Sequence, residues 1–124
     1  MSSTQPGSIG WHDLTVPDAE RVRGFYERVV GWKSLPVSMG GYSDFAMTTG
    51  AGGEAVAGVC HARGGNADLP PVWMMYIIVE DLDAAVAAVG EAGGGVLTQP
   101  RAAGGGRFAV IRDPAGAVCA LYQA

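Results

Sequence analysis

Apolar residues along the chain fall into short runs, many of them alternating. Glycine clusters separate the runs at Gly40-Gly41, Gly50 to Gly53, Gly64-Gly65, Gly93 to Gly95 and Gly104 to Gly106. Short alternating runs between glycines predict strands joined by tight turns. Two stretches have a helical period instead. Val22, Phe25, Tyr26, Val29 and Val30 recur at i, i+3, i+4, i+7 and i+8 and form one apolar stripe. Asp18 stands before it as an N-cap, Glu20 suits the first-turn dipole, and Gly31 is placed to end it. Leu82, Ala85, Val86 and Val89 form the second stripe, with Asp81 as N-cap and Gly93 at the end.

The two halves repeat each other. Trp11 to Asp18 reads as a strand running into a capped helix, and Met74 to Asp81 reads the same way. Three strand-like segments follow each helix. They are Trp32 to Ser38, Tyr42 to Thr48 and Ala55 to His61, then Gly95 to Gln99, Arg107 to Arg112 and Ala117 to Tyr122. The predicted class is α+β, two βαβββ modules over residues 9–62 and 72–124, within one domain over 9–124. Residues 1–8 read as a loose tail. Neither module alone is large enough to cover its own sheet, and two together can bury it.

Composition narrows the partners. A 48% hydrophobic, 16% charged chain of 124 residues is a folding domain and not a disordered segment. No apolar run approaches the ~20 residues of a membrane-spanning helix. No basic, apolar leader opens the sequence. A net charge of −4 with no basic run argues against nucleic acid and against an anionic membrane surface. Cys60 and Cys119 are the only cysteines, and they read as reduced thiols of a cytoplasmic protein. No glycine-rich loop matches a phosphate cradle or a dinucleotide fingerprint.

Further marks are Val16-Pro17-Asp18, Phe25-Tyr26, Gly31-Trp32, Val79 to Asp83, and Arg112 to Gly116 leading into Ala120 to Gln123. In this combination the chain resembles the vicinal oxygen chelate superfamily of glyoxalases, bleomycin-resistance proteins and ring-cleaving dioxygenases. The resemblance implies a glyoxalase/bleomycin-resistance fold, with curled mixed sheets around a central cup that takes a small molecule. It also implies a homodimer. Trp11 with Asp13, the entry Pro70-Pro71-Val72-Trp73 and the Asp113-Pro114 turn are similar to a glycine-rich actinobacterial branch. An arginine-for-lysine bias with abundant Gly and Ala points the same way.

Metal-dependent members of the superfamily carry His or Glu at one inward position of each module's first strand, and Glu, Gln or His on each last strand. The matching positions here are Trp11, Met74, Gly58 and Ala120, none of which is a hard oxygen or imidazole ligand. His12 lies one residue away, where strand alternation points it to the other face. Cys60 and His61 are adjacent and face opposite sides. The expectation is no bound metal and no cofactor.

Alternation from the same register gives the inward set: Trp11, Asp13 and Thr15; Val56, Gly58 and Cys60; Met74, Tyr76 and Ile78; Val118, Ala120 and Tyr122. Tyr42 or Phe45, and Phe108, are candidates for aromatic walls. The set describes an apolar, aromatic cavity with a few polar groups, as a ligand pocket requires. Asp13 is its one carboxylate, which needs pairing, water or a chemical role. Cys60 has no neighbouring cation to activate it. Arg107 is positioned to meet an anionic substrate, and Arg112 to brace the turn after it.

The first functional reading is a metal-independent binding protein for a hydrophobic or aromatic metabolite, acting in resistance or sequestration. The second is a metal-independent isomerase, cyclase or lyase of secondary metabolism. In it Asp13 is the general base, and Tyr76 or Tyr122 stabilises the oxyanion. A metal-dependent glyoxalase or dioxygenase is disfavoured by the ligand positions. An interaction module with a cup filled by its own side chains is the fourth.

Overall fold

A computed structural model of the chain describes residues 4–124. Its elements are β1 (Ile9–Val16), α1 (Ala19–Val30), β2 (Lys33–Ser38), β3 (Ser43–Thr48), β4 (Ala55–His61), β5 (Met74–Ile78), α2 (Leu82–Glu91), β6 (Gly95–Val96), β7 (Arg101–Ala103), β8 (Gly106–Arg112) and β9 (Val118–Gln123). The class is α+β, as expected, with one strand added to the second module. That strand, β7, pairs with β8 and is too short to show a period in the sequence. Among the described residues no helix is long and apolar enough to cross a membrane. Of the expected tail, residues 1–3 lie outside the described residues. Gly7 N–H donates to the Ile78 carbonyl at 2.8 Å, and Ile78 N–H donates to the Ser8 carbonyl at 2.9 Å.

The chain divides into two compact units. The first is His12–Trp73. The second joins residues 4–11 to Met74–Ala124. In the first unit the strands run in the order β2-β3-β4-β1, with β1 parallel to β4 and the other pairs antiparallel. The second unit repeats this as β6-β8-β9-β5, with β5 parallel to β9.

Both helices begin and end as their sequences dictate. The Asp18 carboxylate accepts from Arg21 N–H, and Gly31 closes α1 in the left-handed conformation at φ 85°. The Asp81 carboxylate accepts from Ala84 N–H, and the Gln123 side-chain carbonyl takes the Leu82 N–H at 2.7 Å. The second of these ties α2 to β9, a link no local pattern announces.

The helix faces then diverge. On α2, Leu82 and Val89 are buried, with Ala85 and Val86 packed beside them against Ala109 and Leu121. On α1, Val22 and Tyr26 pack on a core of Leu14, Val16, Phe45, Met47, Ala57 and Val59. Phe25, Val29 and Val30 stay 56%, 63% and 53% exposed. The predicted stripe of α1 is therefore real as a pattern but only half docked. Trp32 and Trp73 fill the space beside Tyr26, and the sheet core ends there.

Candidate functional site

In the first unit, pairing sets Asp13 opposite Gly58 and Thr15 opposite Cys60. Ala46 lies opposite Gly58, Leu35 opposite Ala46, and Val37 opposite Asp44. These residues share the sheet face turned away from the α1 core, because paired residues point to the same side. The face is open at its β2 edge and closes toward β1: Leu35 and Val37 are 57% and 46% exposed, Asp13, Asp44, Ala46 and Cys60 are half-buried, and Gly58 and Thr15 are buried. Gly58 and Ala46 leave its centre low.

Asp44 organises the end of this face. Its Oδ1 accepts the His61 backbone N–H at 2.8 Å and lies 3.3 Å from His61 Nδ1. The Cys60 thiol also hydrogen-bonds Asp44. Burial pushes the Cys60 thiol well above the ordinary range, and the carboxylates of Asp13 and Asp44 push it further the same way. Cys60 is thus a protonated, unreactive thiol, as its lack of a neighbouring cation implies. The sequence offered no reason to single out Asp44, since the parity of β3 was open until its pairing with β4 was known. That pairing also turns Phe45 into the α1 core, with the Arg23 guanidinium 4.8 Å from its ring centre.

One inward assignment is overturned by a bulge. The β3–β4 register shifts between Met47 and Thr48, so Met47 faces Ala57 and Thr48 faces Ala55. Val56 is the extra residue. It lines a groove on the α1 side with Ala57 instead of joining Gly58 and Cys60.

In the second unit, Tyr76 lies opposite Ala120, Ile78 opposite Tyr122, Phe108 opposite Tyr122, and Val110 opposite Ala120. All of these are buried, as is Met74, and Val118 is half-buried at the end of the row. The Tyr76 and Phe108 rings lie 5.8 Å apart, and the Arg101 guanidinium sits 4.9 Å from the Phe108 ring. The Tyr122 hydroxyl is 3.1 Å and 3.0 Å from the carbonyl oxygens of Ala103 and Gly104. Its single proton is engaged there, which removes it as an oxyanion donor. The arm can approach so closely because residue 106 is glycine. A Cβ at Gly106 would lie 2.7 Å from the Tyr122 hydroxyl oxygen.

Arg107, expected to meet an anionic substrate, is paired with a carboxylate of its own chain. It forms a two-pronged pair with Asp83 at 2.9 and 3.2 Å, holding that carboxyl below its usual range by hydrogen bonding and charge. The turn after β8 is braced by Asp113 and not by Arg112: Asp113 Oδ1 accepts from the N–H groups of Ala115 and Ala117.

A feature the sequence reading missed lies on the α1 side of the first unit. A groove of about 310 Å³ is lined by His12, Tyr26, Val30, Trp32, Val56, Ala57 and Trp73. His12 is exposed there, on the face opposite Asp13, as alternation requires. Three aromatic residues separated by up to 47 positions gave no common signal.

Residues 8–121 match the profile of the Glyoxalase/Bleomycin resistance protein/Dioxygenase superfamily. The chain belongs to that superfamily. Among relatives, CFP32 of Mycobacterium tuberculosis, whose name assigns it only provisionally to the glyoxylases, is 37% identical over 99% of this chain and 48% of its own length. The anthracycline biosynthesis protein DnrV of Streptomyces peucetius is 34% identical over 99% of this chain and 49% of its own. The chain spans about half the length of these curated relatives. A methylmalonyl-CoA epimerase solved with methylmalonyl-CoA and NH4+ superposes with a TM-score of 0.63 over 97% of this chain and 96% of its own, at 19% identity, which shows a shared fold.

The superfamily's metal-dependent members raise the question of a metal here, and the donors do not fit one. Among the described residues no three His, Cys, Asp or Glu side chains gather closely enough to hold an ion.

Proposed function

We propose that this superfamily member is a metal-independent binding protein for a small hydrophobic or aromatic metabolite, serving resistance or sequestration as a cytoplasmic homodimer. The observation that carries the reading is the open face of the first unit. Small Ala46 and Gly58 lie between the exposed apolar rims Leu35 and Val37 and the half-buried Asp13 and Cys60. A planar apolar ligand seated against Leu35, Val37 and Ala46 gains about 25 cal/mol for each Å² of apolar surface covered. Asp13 and Asp44 are the carboxylates of this face and Lys33, two residues before Leu35 on β2, is its basic residue, and this net negative balance favours a neutral or cationic ligand over a phosphate-bearing thioester.

A second reading is supported by relatives named for anthracycline biosynthesis. In it the Asp13 carboxylate removes a proton from a carbon beside a ligand carbonyl, in an isomerisation, cyclisation or elimination.

Native mass spectrometry of untagged protein tests the first reading. A co-purified neutral or cationic organic molecule is expected, and stoichiometric Fe, Mn, Ni or Zn sinks metal independence. Asp13→Asn separates the two readings once that molecule is in hand. A binder keeps most of its affinity, whereas an enzyme of this kind loses its rate by orders of magnitude.

A further inference from the structure

The groove on the α1 side of the first unit is independent of the face just described, because its residues point to the opposite side of the sheet. Its volume of about 310 Å³ lies at the lower end of the ~300–1,000 Å³ typical of small-molecule sites. Its walls are aromatic. The Tyr26, Trp32 and Trp73 rings pack on one another at centroid distances of 5.2 to 5.9 Å.

One hydrogen bond decides what chemistry the walls offer. Trp73 Nε1–H donates to the Tyr26 hydroxyl oxygen at 2.9 Å. An indole N–H can only donate, so Tyr26 is the acceptor, and this bond leaves the phenolic proton available. Accepting from Trp73 also polarises that O–H and makes it a better donor. The groove therefore combines aromatic surface with a directed hydrogen-bond donor, and His12 adds an imidazole among its lining residues.

We propose that this groove is a second ligand site, for a neutral planar aromatic compound bearing a carbonyl or ether oxygen, with Tyr26 O–H donating to that oxygen. Val30, exposed on the last turn of α1, forms part of its wall.

Fluorescence titration tests this directly, since Trp32 and Trp73 are two of the chain's three tryptophans. The probes are 2-acetylnaphthalene, which has the acceptor oxygen, and naphthalene, which lacks it. Tyr26→Phe should weaken the ketone about fivefold and leave naphthalene unchanged, the effect of one neutral hydrogen bond. Val30→Glu, a change at an exposed position, should weaken both probes and keeps the test open if Tyr26→Phe fails to fold. Equal effects of Tyr26→Phe on both probes, or insensitivity to Val30→Glu, would overturn the assignment. Affinity that falls as protein concentration rises would also overturn it, by showing that a second copy of the chain covers the groove.

Discussion

The two units share one topology and differ in what stands on the face turned away from the helix. Where the first unit has Asp13 opposite Gly58 and Thr15 opposite Cys60, the second has Tyr76 opposite Ala120 and Ile78 opposite Tyr122. Where β3 sets Ala46 against Gly58, β8 sets Val110 against Ala120. Large side chains and β7 fill the second face, and small or acidic ones leave the first open at its β2 edge. The helices differ in the same direction: α2 docks its whole stripe, and α1 leaves half of its stripe in solvent. A repeated fold has thus divided its labour, with one copy carrying packing and the other carrying accessible surface.

That contrast is broken most forcefully by truncation. Ile78→Ala should cost about 2–4 kcal/mol in urea unfolding, because Ile78 is fully buried. Leu35→Ala should fall within about 0.5 kcal/mol of the parent. Equal losses would remove the distinction between the faces. Gly106→Ala comes next, at about 1–3 kcal/mol, because the new methyl group meets the Tyr122 ring and the Gln123 carbonyl. Tyr122→Phe, which removes only the bond to the arm, should cost about 1 kcal/mol.

Alkaline pH probes the open face. The folded Cys60 thiol keeps its proton above the ordinary thiol pKa of 9.0, where the unfolded chain loses it. The unfolded state then binds fewer protons, so stability is unaffected below that pH and falls as pH rises beyond it. Cys60→Ala should flatten the decline, leaving the smaller part due to Cys119, whose thiol burial also pushes up. An unchanged slope would place Cys60 in a less buried setting.

Much of the fold could be read from local chemistry. Asp18, Asp81 and Gly31 mark helix ends through the orphan backbone groups that they satisfy. The repeat of strand, helix and three strands was visible in spacing alone. Features set by distant partners were not. The bulge that diverts Val56 depends on how β3 pairs with β4. Docking of the α1 stripe depends on where Trp32 and Trp73 fall. The roles of Asp44, Arg107 and Tyr122 each depend on an atom many residues away. Alternation specifies a side of the sheet, and it does not specify what covers that side.

The central claim is that only the first unit's face is open to a ligand. Amide chemical-shift mapping with proflavine, a cationic planar aromatic, tests it most directly. The account predicts shifts at Leu35, Val37, Ala46 and Cys60, with Tyr76, Phe108, Val110 and Tyr122 unmoved. Shifts gathered on those four residues of the second unit, with the first unit silent, would contradict it.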